Sequence, residues 1–129
     1  PLIGEIQKGK NITWKGKKIN SEKVTSKIKG KKIAFITDTS LNQNCYSLAH
    51  QADLVICEST LDSSLTEKAE ERHHLTSKQA ALIAKNSNAK KLVLTHFSPR
   101  YKDTKKLEKE AKKIFKNTIA SKDFMTLKI

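Results

Sequence analysis

Acidic and histidine side chains follow three apolar segments of this chain. Asp38 comes after KKIAFIT, Glu58 ends the segment DLVICE, and His96 follows KKLVLT. A further histidine, His74, stands just before a helical pattern. Carboxylate and imidazole groups bind zinc and manganese and can also transfer protons. A bridging carboxylate can hold two cations about 3.5–4 Å apart, as in two-metal phosphodiester hydrolysis. These residue types predict metal or acid–base chemistry if the fold brings them together.

Each of these residues also has an ordinary structural interpretation. An aspartate after a strand often only caps a helix or forms a turn, and a single histidine is often structural. Asp38 and His96 are only two ligands, whereas a catalytic zinc ion takes three from the protein. His50 and His73 could join them, but neither is predicted at the end of a strand. Because the sequence has no H-x-H or H-E-x-x-H motif, it holds half of a metal site.

The elements that must position these residues predict an α/β fold. Near-continuous apolar runs, typical of buried parallel strands, cover residues 31–37, 53–57 and 91–95. Helical patterns alternate with them over 44–50, 64–72, from Thr76 to about 86, and 104–116. Short closing strands are predicted over 118–120 and 124–129. In a mostly parallel sheet the carboxyl ends of strands share one edge, so the strand-end residues should meet there.

The segment before these strands, residues 1–30, is basic and poor in strands. Residues 11–14 and 18–20 flank Lys15-Gly16-Lys17, which predicts a small hairpin with a glycine turn. A basic loop is predicted around Gly30. We expect this segment to lie over another surface, because it has no apolar face large enough for its own core. The chain therefore divides into residues 1–30 and residues 31–129.

The charge of the chain points to a polyanionic partner. Its 129 residues include 26 Lys and Arg against 13 Asp and Glu, a net charge of +13. Such an excess attracts RNA or DNA phosphate, although a lysine-rich composition without a partner is the alternative. No apolar run approaches the roughly 18 residues of a membrane-spanning helix. A chain that starts at Pro1 is expected to be processed or to be part of something longer.

The two cysteines favour a reducing compartment. Cys45 and Cys57 form no C-x-x-C pair, and no secretory signal precedes them. We expect both to be small buried residues of a cytoplasmic protein.

Four segments together resemble a known family. ITDTS, ADLVICEST, HHLTSKQAALIA and KKLVLTHFSPRY have the order and spacing of ribonuclease Z, the tRNA 3′-processing endonuclease of the metallo-β-lactamase fold. The opening residues resemble the family segment after its tRNA-binding arm, and NTIASKDFMTLKI resembles the family's C-terminus. The resemblance covers this whole chain but only the C-terminal part of the family's length, a little under half. It implies the C-terminal half of a metallo-β-lactamase αββα sandwich.

The resemblance implies roles for individual residues. Asp38 matches the bridging metal carboxylate of the family's G-D-T motif, and His96 matches the last metal-ligand histidine. His74 matches the histidine of H-S-T, which would protonate the leaving oxygen or stabilise the scissile phosphate. Glu58 matches the glutamate of H-E-A-T, which would orient that histidine. Contacts to RNA or phosphate are implied for Arg100, Tyr101 and Thr76.

The family's H-x-H-x-D-H motif is absent from this sequence. The resemblance implies two zinc ions in the complete site, and manganese is possible in their place. Most of the ligands to these ions must therefore come from residues outside this sequence. We expect the isolated chain to be inactive and to expose a sheet edge that associates with itself or with the missing N-terminal half. The complete enzyme is expected to be a homodimer acting on precursor tRNA. The alternatives are a basic non-catalytic RNA-binding module and another metallo-β-lactamase-fold hydrolase.

Overall fold

The structure, a computed structural model, describes residues 2–129. The chain separates into two compact units, one that ends at Gly30 and one from Lys31 to Ile129. The identity of the first unit as the segment after a tRNA-binding arm, and of the second as the C-terminal half of a metallo-β-lactamase domain, stays a prediction. Residues 2–129 contain no helix with the length and apolar character that crossing a bilayer requires.

The smaller unit is built around a two-stranded hairpin. Its strands, β1 (Ile12–Trp14) and β2 (Lys17–Ile19), are antiparallel, and Trp14 pairs with Lys17. Lys15 and Gly16 between them both have positive φ, 48° and 74°, as a two-residue turn of this kind requires. The predicted hairpin is therefore confirmed. Two short helices flank it, and the order of elements is α1 (Leu2–Gln7), β1 (Ile12–Trp14), β2 (Lys17–Ile19) and α2 (Ser21–Val24).

The larger unit is a four-stranded sheet whose strands are neighbours in chain order. All of its pairings are parallel, as the alternation of strands and helices predicts. A 3₁₀ turn, Ser63–Leu65, precedes the fourth helix of the chain. The elements are β3 (Ile33–Ile36), α3 (Gln43–Ala49), β4 (Leu54–Glu58), α4 (Thr66–Glu71), α5 (Ser77–Asn86), β5 (Leu92–Thr95), α6 (Lys105–Lys112) and β6 (Thr118–Ala120).

Helix α5 packs closely on the sheet because half of the residues on its buried face are alanine. Ile83 is the one large apolar side chain on that face, and it is fully buried. The helix begins with a capping box, in which Thr76 Oγ1 accepts from the N–H of Gln79 and the Gln79 side chain accepts from the N–H of Thr76. This cap fixes the helix start, and with it the backbone that follows His74.

Both cysteines are buried free thiols, as predicted. Cys57 lies on β4 in the centre of the sheet, where burial, followed by the charge of Glu58, raises the pKa of its thiol. A thiol in this environment stays protonated and inert, so it acts as a small core residue. Cys45 lies on α3 and belongs to the same core.

Two of the predicted strands differ from the structure. β3 is an edge strand with one exposed face, on which Ile33 and Phe35 are 54% and 60% exposed, so its prediction as a fully buried strand is wrong. Residues 124–129 form no strand, and Phe124 has φ +61°. An apolar run shows that a segment can be buried, but only neighbouring strands decide whether both faces are covered.

Candidate metal centre

Three parallel strands bring the predicted site residues to one edge of the sheet. Glu58 is the last residue of β4 and pairs with Thr95, the last residue of β5. His96 follows directly, while Asp38 lies two residues beyond the end of β3. Parallel register therefore places all three strand ends side by side.

Asp38, His74 and His96 form one cluster. One possible ligand atom from each lies within 4.8 Å of the others. Asp38 Oδ1 is 3.4 Å from His96 Nε2 and 4.0 Å from His74 Nδ1. The side chains of Asp38 and His96 are 66% and 44% exposed, against 24% for His74. The cluster is open on the side of Asp38 and His96, so a substrate or ion can reach it.

The backbone at this edge is left-handed at three positions. Asp38, His73 and His96 have φ values of 48°, 58° and 55°. Residues other than glycine adopt this conformation at a cost of roughly 1–2 kcal/mol each. Such strain persists where the surrounding structure holds it, and it is found often at functional sites.

Glu58 lies behind the cluster and is fully buried. Its Oε1 accepts from the N–H of Thr39 at 2.8 Å. Its Oε2 accepts from Thr60 Oγ1 at 2.7 Å, from the N–H of Leu75 at 3.1 Å and from His74 Nδ1 at 3.0 Å. These four donors replace the water that a buried carboxylate loses. Because a carboxylate accepts hydrogen bonds, His74 Nδ1 is the donor in this contact, and Nε2 is the nitrogen that Glu58 does not hold.

The other two histidines lie outside the cluster. His73 Nδ1 is 3.1 Å from Ser40 Oγ. His50 is exposed and follows the last residue of α3. Neither is grouped with Asp38, so the structure gives no support to their recruitment as ligands.

The three predicted phosphate contacts differ in their surroundings. Arg100 is exposed, and its Nε donates to Ser98 Oγ at 3.1 Å. Thr76 is only 1% exposed, and its hydroxyl belongs to the cap of α5, which argues against a phosphate contact. The Tyr101 hydroxyl is held by Asp62, since it accepts from the N–H of that residue and donates to Oδ2, both at 2.8 Å.

Asp62 anchors the loop that follows His96. Besides Tyr101, it accepts from Lys106 Nζ at 2.8 Å and from the N–H of Ser64 at 3.0 Å. Burial acts to raise the pKa of Asp62, but the hydrogen bonds from Lys106, Ser64 and Tyr101 outweigh it and hold that pKa well below its usual range. The carboxylate therefore stabilises the folded chain more than its protonated form does.

Replacing Asp62 with asparagine should lower the free energy of unfolding by about 1–3 kcal/mol near neutral pH. The folded pKa lies below the unfolded one, so this contribution is full above the unfolded pKa of about 3.9 and is lost as pH falls toward the folded value. Urea unfolding at about pH 6 and about pH 3 would show the difference between wild type and variant shrinking in acid. Asp123→Asn, an exposed position, is the matched control. An equal difference at both pH values would contradict this assignment.

Thr60 is a site residue that the sequence analysis does not include. Its hydroxyl contacts both Glu58 and His96. The sequence signal was its spacing, because residues i and i+2 of an extended segment project to the same side. A threonine two residues after a strand-end glutamate can therefore reach the same site.

Solved structures contain the same arrangement of strands and helices. A metallo-β-lactamase fold protein of Bacillus subtilis, YhfI, matches over 70% of this chain and 36% of its own, with a TM-score of 0.64 and 27% identity. The short form of human tRNase Z matches over 78% of this chain and 34% of its own, with a TM-score of 0.61 and 36% identity. The chain therefore has the α/β architecture of part of the metallo-β-lactamase fold, as the resemblance implied.

Curated sequences narrow this class to one family. The chain is 39% identical to ribonuclease Z of Archaeoglobus fulgidus, in an alignment that covers the whole chain and 43% of that protein. It is 42% identical to ribonuclease Z of Protochlamydia amoebophila over 97% of the chain and 41% of that protein. Over its whole length this chain is therefore similar to part of ribonuclease Z, and it spans about two fifths of the length of these curated relatives. No protein-family model matches it.

Proposed function

We propose that this chain is the C-terminal part of a metal-dependent endoribonuclease that removes the 3′ trailer of precursor tRNA by phosphodiester hydrolysis. One observation carries the proposal. Asp38, His74 and His96 converge within 4.8 Å in a chain that is 39% identical to a ribonuclease Z. The net charge of +13 suits a polyanionic substrate and makes its binding dependent on salt.

The donor set fits a borderline cation such as zinc, with manganese possible. Asp38 offers carboxylate oxygens and His96 offers an imidazole nitrogen, the ligand types that zinc takes in catalytic sites. These residues would hold part of a site for two ions, with the other ligands outside this sequence. Bound zinc supplies Lewis acidity toward the phosphate and makes water a better nucleophile.

His74 would act on the leaving oxygen. Glu58 holds its Nδ1 at 3.0 Å, which leaves Nε2 as the nitrogen that would meet the substrate. A proton carried at Nε2 can pass to the 3′-oxygen as its bond to phosphorus breaks, which removes the charge that would otherwise develop there. The same Nε2–H could instead stabilise the scissile phosphate.

Arg100 is the best placed of the proposed RNA contacts. It is exposed on the loop after His96, and its guanidinium can bind phosphate through two parallel hydrogen bonds. Tyr101 would support this loop through Asp62 rather than contact RNA. Thr76 would act through the cap of α5.

The exposed face of β3 supports the proposal that another protein segment covers this strand in the complete enzyme. No described strand pairs with the outer edge of β3, and Ile33 and Phe35 lie exposed on it. An open strand edge with apolar side chains favours pairing with another chain or segment. We propose that the missing N-terminal half covers this strand, and that the complete enzyme is a cytoplasmic homodimer.

The pure chain should show negligible cleavage of precursor tRNA in zinc or manganese, because it lacks most of the metal ligands. Adding the N-terminal portion of a ribonuclease Z should produce metal-dependent cleavage after the acceptor stem, measured on end-labelled precursor. Metal-dependent cleavage by the pure chain alone would contradict the proposed division of the site.

The same assay separates two alternative functions. A basic RNA-binding module would bind precursor tRNA but gain no activity when the N-terminal portion is added. Another metallo-β-lactamase-fold hydrolase would cleave small phosphodiesters in preference to precursor tRNA.

A further inference from the structure

The hydroxyl of Thr60 lies between two members of the site. Thr60 Oγ1 is 2.7 Å from Glu58 Oε2 and 3.0 Å from His96 Nδ1. It is also 3.0 Å from the backbone oxygen of His96. A hydroxyl has one proton to donate and can accept through its oxygen. The group that receives this proton therefore determines whether His96 Nδ1 donates a hydrogen bond to Thr60 or accepts one from it.

The carboxylate of Glu58 is the strongest of the three possible acceptors. Hydrogen bonds to a carboxylate are roughly twice as strong as those between neutral groups, and this is also the shortest of the three contacts. Once Thr60 donates to Glu58, its oxygen faces His96 Nδ1 as an acceptor. If Nδ1 carried no proton, its lone pair would face a lone pair of Thr60 Oγ1 at 3.0 Å, and this contact would be unfavourable.

We propose that Thr60 is a positioning residue that fixes His96 as the Nδ1–H tautomer. The chain of donors runs from His96 Nδ1–H to Thr60 and from the Thr60 hydroxyl to Glu58. His96 Nε2 is then unprotonated, on the side where an ion would bind. It lies 3.4 Å from Asp38 Oδ1, but this contact does not have the geometry of a hydrogen bond, so it does not compete with Thr60. Its role as a metal ligand rests on the proposed function, whereas the tautomer follows from the hydrogen bonds alone.

A consequence is that one buried carboxylate orients both imidazoles of the cluster. Glu58 Oε2 holds His74 directly at 3.0 Å and holds His96 through Thr60. The two rings lie with their centroids 5.3 Å apart. In both rings the nitrogen held by Glu58 or Thr60 is Nδ1, so Nε2 is the nitrogen without this support. Partners of this kind fix the nitrogen that a metal-binding histidine offers.

Nitrogen-15 NMR of the histidine side chains in the full chain tests the assignment. At about pH 8 a free imidazole is neutral, and two-bond couplings to the ring protons distinguish the two tautomers. His96→Gln identifies the signals of His96. The wild-type chain should show Nδ1–H at His96, and Thr60→Ser should keep it. Thr60→Val, which has the same shape without a hydroxyl, should lose it.

Ser59→Ala is a matched control on the adjacent residue. Ser59 is fully buried, and its Oγ has no hydrogen-bond partner among the described residues. Removing this hydroxyl should leave the tautomer of His96 unchanged. The same loss in Ser59→Ala as in Thr60→Val would mean that loop packing sets the tautomer, and would overturn the proposal.

The wild-type spectrum can overturn the proposal by itself, since Nε2–H at His96 would exclude the proposed chain of donors. An unchanged tautomer in folded Thr60→Val would do so as well. No metal or RNA is needed, so the proposed function can fail separately. Expected tautomers in a chain that never gains nuclease activity would refute the function and leave the role of Thr60 standing.

Discussion

Replacing His74 with alanine, in the chain supplemented with the N-terminal portion of a ribonuclease Z, should slow cleavage of precursor tRNA about 10²–10⁴-fold. The variant loses the group that would protonate the 3′-oxygen, while Asp38 and His96 remain to hold metal. Single-turnover rates with enzyme in excess measure this step. Affinity for precursor tRNA, measured by gel shift at fixed salt, should stay close to the wild-type value, because the basic surface is unchanged.

The adjacent histidine provides the control for this prediction. His73 has a left-handed backbone and lies outside the cluster, and its side chain contacts Ser40. Asparagine tolerates that conformation, so His73→Asn should fold and cleave at nearly the wild-type rate. An equal loss in both variants would show that the loop, not the His74 imidazole, limits cleavage.

Replacing Glu58 with alanine should lower the free energy of unfolding by about 3–5 kcal/mol, a large part of the stability of a small domain. The substitution removes the acceptor of four hydrogen bonds and leaves buried donors at Thr39 and Leu75. Glu58→Gln keeps one acceptor oxygen and should fall between alanine and wild type. Urea unfolding followed by circular dichroism measures all three proteins.

The same substitution at an exposed glutamate separates burial from charge. Glu67 lies exposed on α4, so Glu67→Ala should change the free energy of unfolding by less than about 0.5 kcal/mol. If Glu58→Ala were equally mild, the hydrogen bonds to this carboxylate would not organise the site, and the orientation of His74 would need another cause.

The strand-end residues show what the sequence predicts well. Asp38, Glu58 and His96 could be placed together because parallel strands put their carboxyl ends at one edge, whatever the detailed packing. The position of His74 does not follow from that rule. It depends on a loop that returns to the sheet between α4 and α5, and its hydrogen bond to Glu58 joins residues 16 apart. The sequence placed His74 only before the start of a helix, and the family resemblance gave it a role.

Other features depend on neighbours that local sequence does not reveal. Phe35 belongs to an apolar run, yet it is exposed because β3 lies at the edge of the sheet. Thr60 has no chemical signal of its own, and its importance appears only when Glu58 and His96 are seen on either side of it.

The backbone is left-handed at Asp38 and His96, so stability favours glycine there, whereas the proposed metal binding requires the aspartate and histidine side chains. Glycine at either position would relieve the backbone strain and remove a proposed metal ligand. Activity and stability therefore favour different residues there, a trade-off that is common where function requires strain. In a lineage released from selection for the proposed cleavage, drift toward glycine or asparagine at positions 38 and 96 would stabilise the chain, and it would mark the loss of the proposed metal site.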